Sequence, residues 1–529
     1  MLDAMQCYRS LIAACALALL APPAESAPPP PNAASDETVA FFEAGAIPEI
    51  KVVLDEEAQR KLREQPRDYV RAALVVDGTT TLKTVGVKLK GAAGSYRDFD
   101  DRPGLTVNGD KYKKGQRFHA MEKFHLNNAV QDETLLSEWL GSELFRAAGY
   151  PCPRAGHARL RINDRDLGVY VLREGFDKPF LKRTFPDANG NLYDGGLLQD
   201  VDAELEMDAG DDPDDRADLL GLAIACHESD PAVRWQGIAA RIDLDRFVTF
   251  MALERLCGHW DGYTMNQNNY RLYFPPGGRG VFLPHGQDQL FGDPGAGLYD
   301  QSSPLLSAAV LQNDAWRGKY RQELERLRPL FQPADGWVAK VDAMRARLQP
   351  VLESVDADLA AQHGERVAEL NQRLRERAEA LEELITNGWP QPLAFDAQGL
   401  ARVEDWHAAC DAEGAKLEEV DAGGVGAYLI TREPFGDYEC SWRTAVLLPR
   451  GRYRFEARLK TEQVLPIIDD GARGAGVRTS GAGRSHGFTG SNDWRPVGFE
   501  IDVREDQRNV ELVLELRARH GRVWFDRSA

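Results

Sequence analysis

Cysteine is scarce in this chain of 529 residues: there are seven, and only Cys152, Cys226, Cys257, Cys410 and Cys440 lie beyond residue 26. An odd number, with no Cys-x-x-Cys and no Cys/His ligand spacing, excludes a disulfide framework and the common zinc modules. Cys410 and Cys440 share the C-terminal region and can pair in an oxidising compartment, while the other three read as small core residues. Positive charge is also in deficit. There are 64 Lys and Arg against 83 Asp and Glu, a formal net charge of -19, and no broad grip on nucleic acid or anionic lipid is expected without a basic face. Beyond the N-terminus no apolar run is long enough to cross a bilayer, so no integral membrane segment is expected in the mature chain. Neither a His-Glu-x-x-His helix nor a Walker-type phosphate loop occurs, which removes the support for a zinc protease or a P-loop NTPase.

What is present is ordinary globular composition, 43% hydrophobic and 28% charged, in a chain longer than the roughly 250 to 300 residues that one core sustains. Two or three domains are expected. Arg9, the apolar stretch Leu11 to Leu20, and the small residues Ala24 and Ser26 have the form of an export signal over residues 1–26, which predicts a periplasmic, cell-surface or secreted location. A Pro-rich linker, 27–44, follows. From Ile47 to Lys90, alternating apolar pieces predict a small antiparallel sheet, and a strand is expected at Leu105 to Val107. Helical spacing runs from Glu133 to Ala148 and is stopped by Gly149 and Pro151. HARLRI and GVYVLRE read as strands, and the acidic run from Asp200 to Asp215 as a solvated loop. Helical pattern resumes from Leu244 to Gly258 and again from about Ser307 to Ile385, until NGWPQPL breaks it. The remainder, 395–529, has short strands between Gly-rich turns, the pattern of a jelly-roll β-sandwich. The expected fold class is α+β.

Two carboxylates stand out. Asp261, in GHWDGYTMNQNNYRLYF, follows an apolar helix and precedes Asn266, Asn268 and Asn269; Asp288, in VFLPHGQDQLF, follows the next strand. Asp, Asn, a short strand pair and a second Asp is the order in which protein kinases supply their base and two metal ligands. Phosphoryl transfer needs hard oxygen ligands for a divalent cation and one carboxylate to orient the attacking hydroxyl. Spacing alone leaves open that both are loop caps or turn residues. His259 and His285 stand near these two Asp and read as hydrogen-bonding partners, since no third ligand is spaced for a metal hydrolase.

Six stretches add context: VGVKLKGAAGSYRD, FHLNNAVQDETLLSEWLGSELFRAAGYPCPRAGHARLRIND, DLGVYVLREGFDKPFLKR, GNLYDGG, LERLCGHWDGYTMNQNNYRLYF and VFLPHGQDQLFG. Through them the chain, from roughly residue 45 to 390, resembles the spore-coat-protein-H (CotH) family of atypical protein kinases. The resemblance implies a two-lobed kinase-like catalytic domain over 45–300 and a helical extension over 301–388. It also implies the use of ATP with Mg2+ or Mn2+ to phosphorylate Ser or Thr of a protein substrate. It assigns Asp261 as the catalytic-loop aspartate and Asp288 as the metal aspartate. Asn269 becomes the metal-binding asparagine, with Asn266 as the alternative, and Glu138 the partner of an ATP-binding lysine. Gly91 to Ser95, with Gly91, Gly94 and Ser95, would be the phosphate-covering turn, and the strand ending at Glu174 would lead into the adenine hinge.

The chain departs from the family pattern in two places. Gly286 stands where many relatives carry the first carboxylate of an Asp-x-Asp, and Asn108 stands where a lysine is sought. Lys90 is then the candidate for the phosphates, with Lys111 and Lys123 behind it. These departures leave open an exported pseudokinase scaffold. In the C-terminal region, Trp406, Trp442, Trp494 and Trp524 are of the type that stacks on sugars or fills a core, and cell-envelope polysaccharide is the partner expected there.

Overall fold

A computed structural model describes residues 37–528 apart from 45–46, 213, 301, 411–413, 434–437, 468–473 and 485–486. The export segment and residues 27–36 lie outside the described residues. The end of the expected linker is a helix, α1 (Glu37–Ala44). Its Phe41 and Phe42 pack on the neighbouring barrel core, and Thr38 Oγ1 donates to the His119 carbonyl at 2.8 Å.

The expected small antiparallel sheet is part of a closed barrel. Strands β1 (Glu49–Val53), β2 (Val70–Val76), β3 (Thr79–Lys90), β4 (Gly104–Asn108), β5 (Lys123–Asn127), β6 (Ala155–Ile162) and β7 (Arg165–Glu174) join in the order β1-β2-β3-β4-β5-β7-β6. β1 pairs antiparallel with β2 and parallel with β6, which closes the ring. Alternate residues Ile50, Val52, Val85, Val87, Leu105, Val107, Leu126, Leu160 and Leu172 fill its interior, as period-two patterning requires. After β1, α2 (Glu56–Glu64) starts where the Asp55 carboxylate accepts from Ala58 N at 2.7 Å.

Helix α3 (Ser137–Ala147) begins four residues later than its apolar spacing predicts. Asp132 is the reason. Its carboxylate accepts from Thr134 N at 3.0 Å and Ser137 N at 2.8 Å, holding residues 132–136 as a turn with Leu135 at a φ of +60°. Such local side-chain bonds compete with the helix.

α4 (Lys178–Thr184) leads to a second sheet, made by β8 (Asn191–Gly195), β9 (Glu206–Ala209), β10 (Tyr270–Phe274) and β11 (Val281–Pro284) in the order β11-β10-β8-β9. The acidic run is therefore not all loop, because its residues 206–209 form the edge strand. Between β9 and β10 lie α5 (Ala217–Cys226), α6 (Pro231–Arg241), α7 (Leu244–Leu256) and the single turn α8 (Tyr263–Asn266). Helix α7 is buried almost all round, from Phe247 to Leu256, and so gives the loop after it a fixed base. Helices α9 (Leu305–Gln312), α10 (Asp314–Phe331), α11 (Asp335–Val355) and α12 (Ala357–Asn387) share its apolar cluster.

The C-terminal part is all β: β12 (His407–Ala409), β13 (Ala415–Asp421), β14 (Gly426–Arg432), β15 (Tyr438–Pro466), β16 (Gly474–Thr479) and β17 (Gly490–Asp526). The chain thus combines helices with a β-barrel and sandwich sheets. β15 and β17 run over two apolar clusters, one around Trp442, Leu459 and Phe525 and one around Leu448, Ile501 and Leu512. Cys410 and Cys440 form a disulfide, while Cys152, Cys226 and Cys257 are buried thiols.

Candidate active site

A cleft of about 970 Å³ opens between the barrel and the second sheet. On the barrel side Lys90 ends β3 opposite Gly104 of β4. A Cβ on Gly104 would come within 3.2 Å of Lys90 Cγ, so glycine there gives the lysine stem room to lie across β4. The ammonium donates to Asn127 Oδ1 on β5, and Asn127 Nδ2 donates in turn to Glu138 Oε2 on α3. Glu138 Oε1 lies 3.2 Å from Arg173 Nε. The carboxylate expected to pair with the lysine therefore belongs to Arg173, and Asn127 stands between. Burial pushes the Lys90 amine down to about 8, against the opposing pull of Glu138.

Gly91 to Ser95 follow Lys90 directly and line the same cleft. Gly91 and Gly94 have φ of +112° and +82°, and a Cβ on Gly94 would fall 2.6 Å from Gln131 Nε2. The turn therefore requires glycine at that position. Ser95 Oγ accepts from Ala92 N at 3.2 Å and fastens the turn.

On the other side, the loop after α7 is organised by a carboxylate that the sequence reading did not single out. Glu254 is fully buried; it accepts from Thr264 N at 2.8 Å and Tyr263 N at 3.3 Å. His259 Nδ1 lies 3.5 Å from the same carboxylate, and its Nε2 donates to the Gly286 carbonyl at 3.0 Å. Burial opposes protonation of His259, but Glu254 outweighs it and the net shift is upward. His259 thereby ties the loop of Asp261 to the loop of Asp288.

Asp261 is held by three amides. Its Oδ1 accepts from Asn266 Nδ2 at 3.1 Å and Asn268 Nδ2 at 3.0 Å, and its Oδ2 from Asn269 Nδ2 at 2.8 Å. Asn268 and Asn269 line the cleft with Asp261, whereas Asn266 is not among the lining residues. Asn269 has a φ of +52° and Gly286 a φ of +53°, and a Cβ on Gly286 would sit 2.2 Å from Asn269 Oδ1. The missing carboxylate at 286 is thus matched by the approach of Asn269.

Asp288 lines the cleft beside them. Burial and the nearby Glu138 charge push its carboxyl up to about 7, and among the described residues no Lys, Arg or His is ion-paired with it. No cluster of three or more His, Cys, Asp and Glu able to hold a metal occurs among the described residues. A cation here would then share its shell with phosphate oxygens, as Mg2+ does at nucleotide sites. A half-buried carboxylate without an ion-pair partner among the described residues, lining the same cleft as Asn269, fits that arrangement.

The remaining expected residues fall differently. Glu174 does not line the cleft, because its carboxylate pairs with Arg183 and accepts from Arg154 N at 3.1 Å. Lys123 lines the cleft, whereas Lys111 lies over the Tyr69 ring at 5.0 Å and is not a lining residue. His285 also lines it, kept neutral by burial and by Arg271, Arg173 and Lys90. Arg271, on β10, reaches Asp194 of β8 and Asp208 of β9, the latter at 3.2 Å. The residues missed from sequence are Asn127, Arg173, Glu254 and Arg271; Glu254 beside the apolar run Phe247 to Leu253 of α7 was the one readable signal among them.

Residues 87–385 match the sequence model of the CotH kinase protein family. The chain belongs to that family. Among its relatives, invasin CotH3 of Rhizopus delemar is 24% identical over 263 residues, which cover 45% of this chain and 43% of the relative. The inner spore coat protein H of Bacillus subtilis is 25% identical over 238 residues, or 40% of this chain and 64% of the relative. The match thus spans less than half of the fungal invasin and under two thirds of the bacterial protein. A solved carbohydrate-binding module in complex with β-1,4-galactotriose covers 24% of the chain and 86% of that module at 14% identity, with a TM-score of 0.17, too slight a likeness to bear on fold or ligand. No helix of the described residues is long and apolar enough to cross a membrane.

Proposed function

We propose that this CotH-family cleft binds ATP and transfers its terminal phosphoryl group to a Ser or Thr hydroxyl of a protein. One observation carries the reading: Asp261, fixed by three asparagine amides, shares a cleft with Lys90, the Gly91–Ser95 turn and an Asp288 without a cationic partner. In this reading Asp261 accepts the hydrogen bond of the attacking hydroxyl and takes its proton as the new O–P bond forms. The bond from the terminal phosphorus to the bridging oxygen breaks, and ADP leaves. Lys90 meets phosphate oxygens, and the Gly91–Ser95 backbone covers them. Asp288 and Asn269 would hold Mg2+ or Mn2+, which supplies positive charge to the phosphates.

The test is the melting temperature of the full chain. ATP with Mg2+ or Mn2+ should raise it, by the equivalent of about 2.7 kcal/mol at a hundredfold excess over Kd, and ATP with chelator should not. Asp261→Asn should keep that shift and lose most autophosphorylation, whereas Asp288→Asn should lose both. Absence of any metal-dependent shift at millimolar ATP refutes the reading.

A second reading, an exported scaffold that binds cell-envelope polysaccharide, is favoured by the tryptophans. Trp442 and Trp406 pack in or against the sandwich cores, but Trp494 and Trp524 lie outside both clusters, beside Arg458 and Lys460. Retention of the full chain on cell-wall polymers, abolished by Trp494→Ala, would support it. Equal retention of the variant would not.

A further inference from the structure

In this cleft the buried carboxylate of α3 is held by an arginine, and the lysine reaches it only through an amide. Arg173 is 1% exposed and Glu138 3%. Arg173 Nη2 also donates to the Pro284 carbonyl at 3.1 Å, at the end of the strand that leads to Asp288. Its guanidinium lies 4.8 Å from the Phe176 ring centroid, and its Nη1 is buried with no hydrogen-bond partner among the described residues. A buried Arg–Glu pair with an unmatched donor is a poor device for stability, since apolar residues of similar volume commonly do as well or better. Its location suggests another use.

We propose that Arg173 is a positioning residue for nucleotide binding. It holds Glu138, Glu138 holds the Asn127 amide, and Asn127 Oδ1 holds the Lys90 ammonium where the phosphates would lie. Through Pro284 the same guanidinium fixes the segment carrying Asp288, so one side chain sets the distance between the lysine side and the aspartate side of the cleft. The inference rests on the ATP-binding reading above. A lysine at 173 would keep a positive charge near Glu138, but a single ammonium does not reproduce the planar fork that serves Glu138 and Pro284 together.

The experiment compares the full-length wild type with Arg173→Lys and with the double variant Arg173→Met/Glu138→Gln. Each is measured by its melting temperature without ligand and by titration with MgATP. In the double variant the new side-chain amide at position 138 can still accept from Asn127, and the Arg173–Glu138 pair is removed whole so that neither of its two charges is left unpaired; this protein should therefore melt near the wild type. Both variants should bind MgATP at least tenfold more weakly. If either binds MgATP as tightly as the wild type, Arg173 only neutralises Glu138 and the inference is overturned. If the wild type itself shows no metal-dependent ATP binding, the underlying reading falls and this inference with it.

Discussion

Gly286→Ala puts the fit between the loop of Asp261 and the loop of Asp288 to a direct test. At a φ of +53°, a residue with a Cβ costs roughly 1 to 2 kcal/mol. The new methyl would also lie 2.2 Å from Asn269 Oδ1 and 2.4 Å from its Cγ, so the amide must move. That amide holds Asp261 twice, through Oδ2 at 2.8 Å and through the backbone carbonyl at 2.9 Å. A hydrogen bond to a charged group contributes about 1.5 to 3 kcal/mol, and the lower figure suits this half-buried position. The sum is about 3 kcal/mol, which, at about 2.1 cal/mol/K per residue over the roughly 340 residues from β1 to α12, should lower the calorimetric transition of the unit carrying the cleft by about 4 °C. Gly286→Asp, which restores the carboxylate many relatives carry, should suffer the same collision and gain no metal affinity. Asn269 itself has a φ of +52°, so Asn269→Gly removes the obstacle without backbone strain. In the Gly286→Ala background it should recover part of the lost melting temperature while phosphate transfer stays low. A Gly286→Ala protein melting within about 1 °C of the wild type, a shift worth less than about 1 kcal/mol, with unchanged MgATP affinity, would refute the packing argument.

Lys90→Met should raise the ligand-free melting temperature at pH 7, because it removes a desolvated charge, yet abolish the MgATP-dependent shift. The wild-type pKa of about 8 lies below the unfolded value, so between pH 8 and about 10 the unfolded chain binds more protons. Wild-type stability should therefore rise relative to Lys90→Met across that window, and parallel curves would contradict the assignment. Reduction of the Cys410–Cys440 disulfide, whose partners are 30 positions apart, should destabilise the C-terminal sheets by about 3 to 4 kcal/mol on loop entropy. The transition of the cleft should not move, and calorimetry with and without reductant separates the two.

The elements that sequence reading located are those whose signals are local. Alternation in β6, the apolar run of β7, the apolar stripe of α3 with its Gly149 stop, and the long helices before Trp389 can be read within short windows of chain. Closure of the barrel was not readable, because the parallel pairing of β1 with β6 joins Ile50 to Leu160, far apart in the chain. Nor was the start of α3, where the decision rests on the geometry of Asp132 rather than on spacing. The export segment has a local signal too, but it lies outside the described residues.

The same division runs through the cleft. Asp261, its three asparagines and Asp288 belong to one short stretch of chain, where their order draws attention to them, although spacing alone left cap and turn roles open and the resemblance supplied the assignment. Their supports come from elsewhere: Glu254 from the preceding helix, Gly286 against Asn269, and Arg173 from a barrel strand far upstream. Lys90 illustrates why. A lysine at a strand end is ordinarily solvated, and here its different role depends on which residues the register sets beside it. The register places Gly104 opposite Lys90, and that glycine's missing side chain lets the ammonium reach Asn127 on the next strand but one. β4 carries Asn108 where the family pattern suggests a lysine, so the ammonium that reaches across this strand comes from its neighbour β3, which only the register reveals.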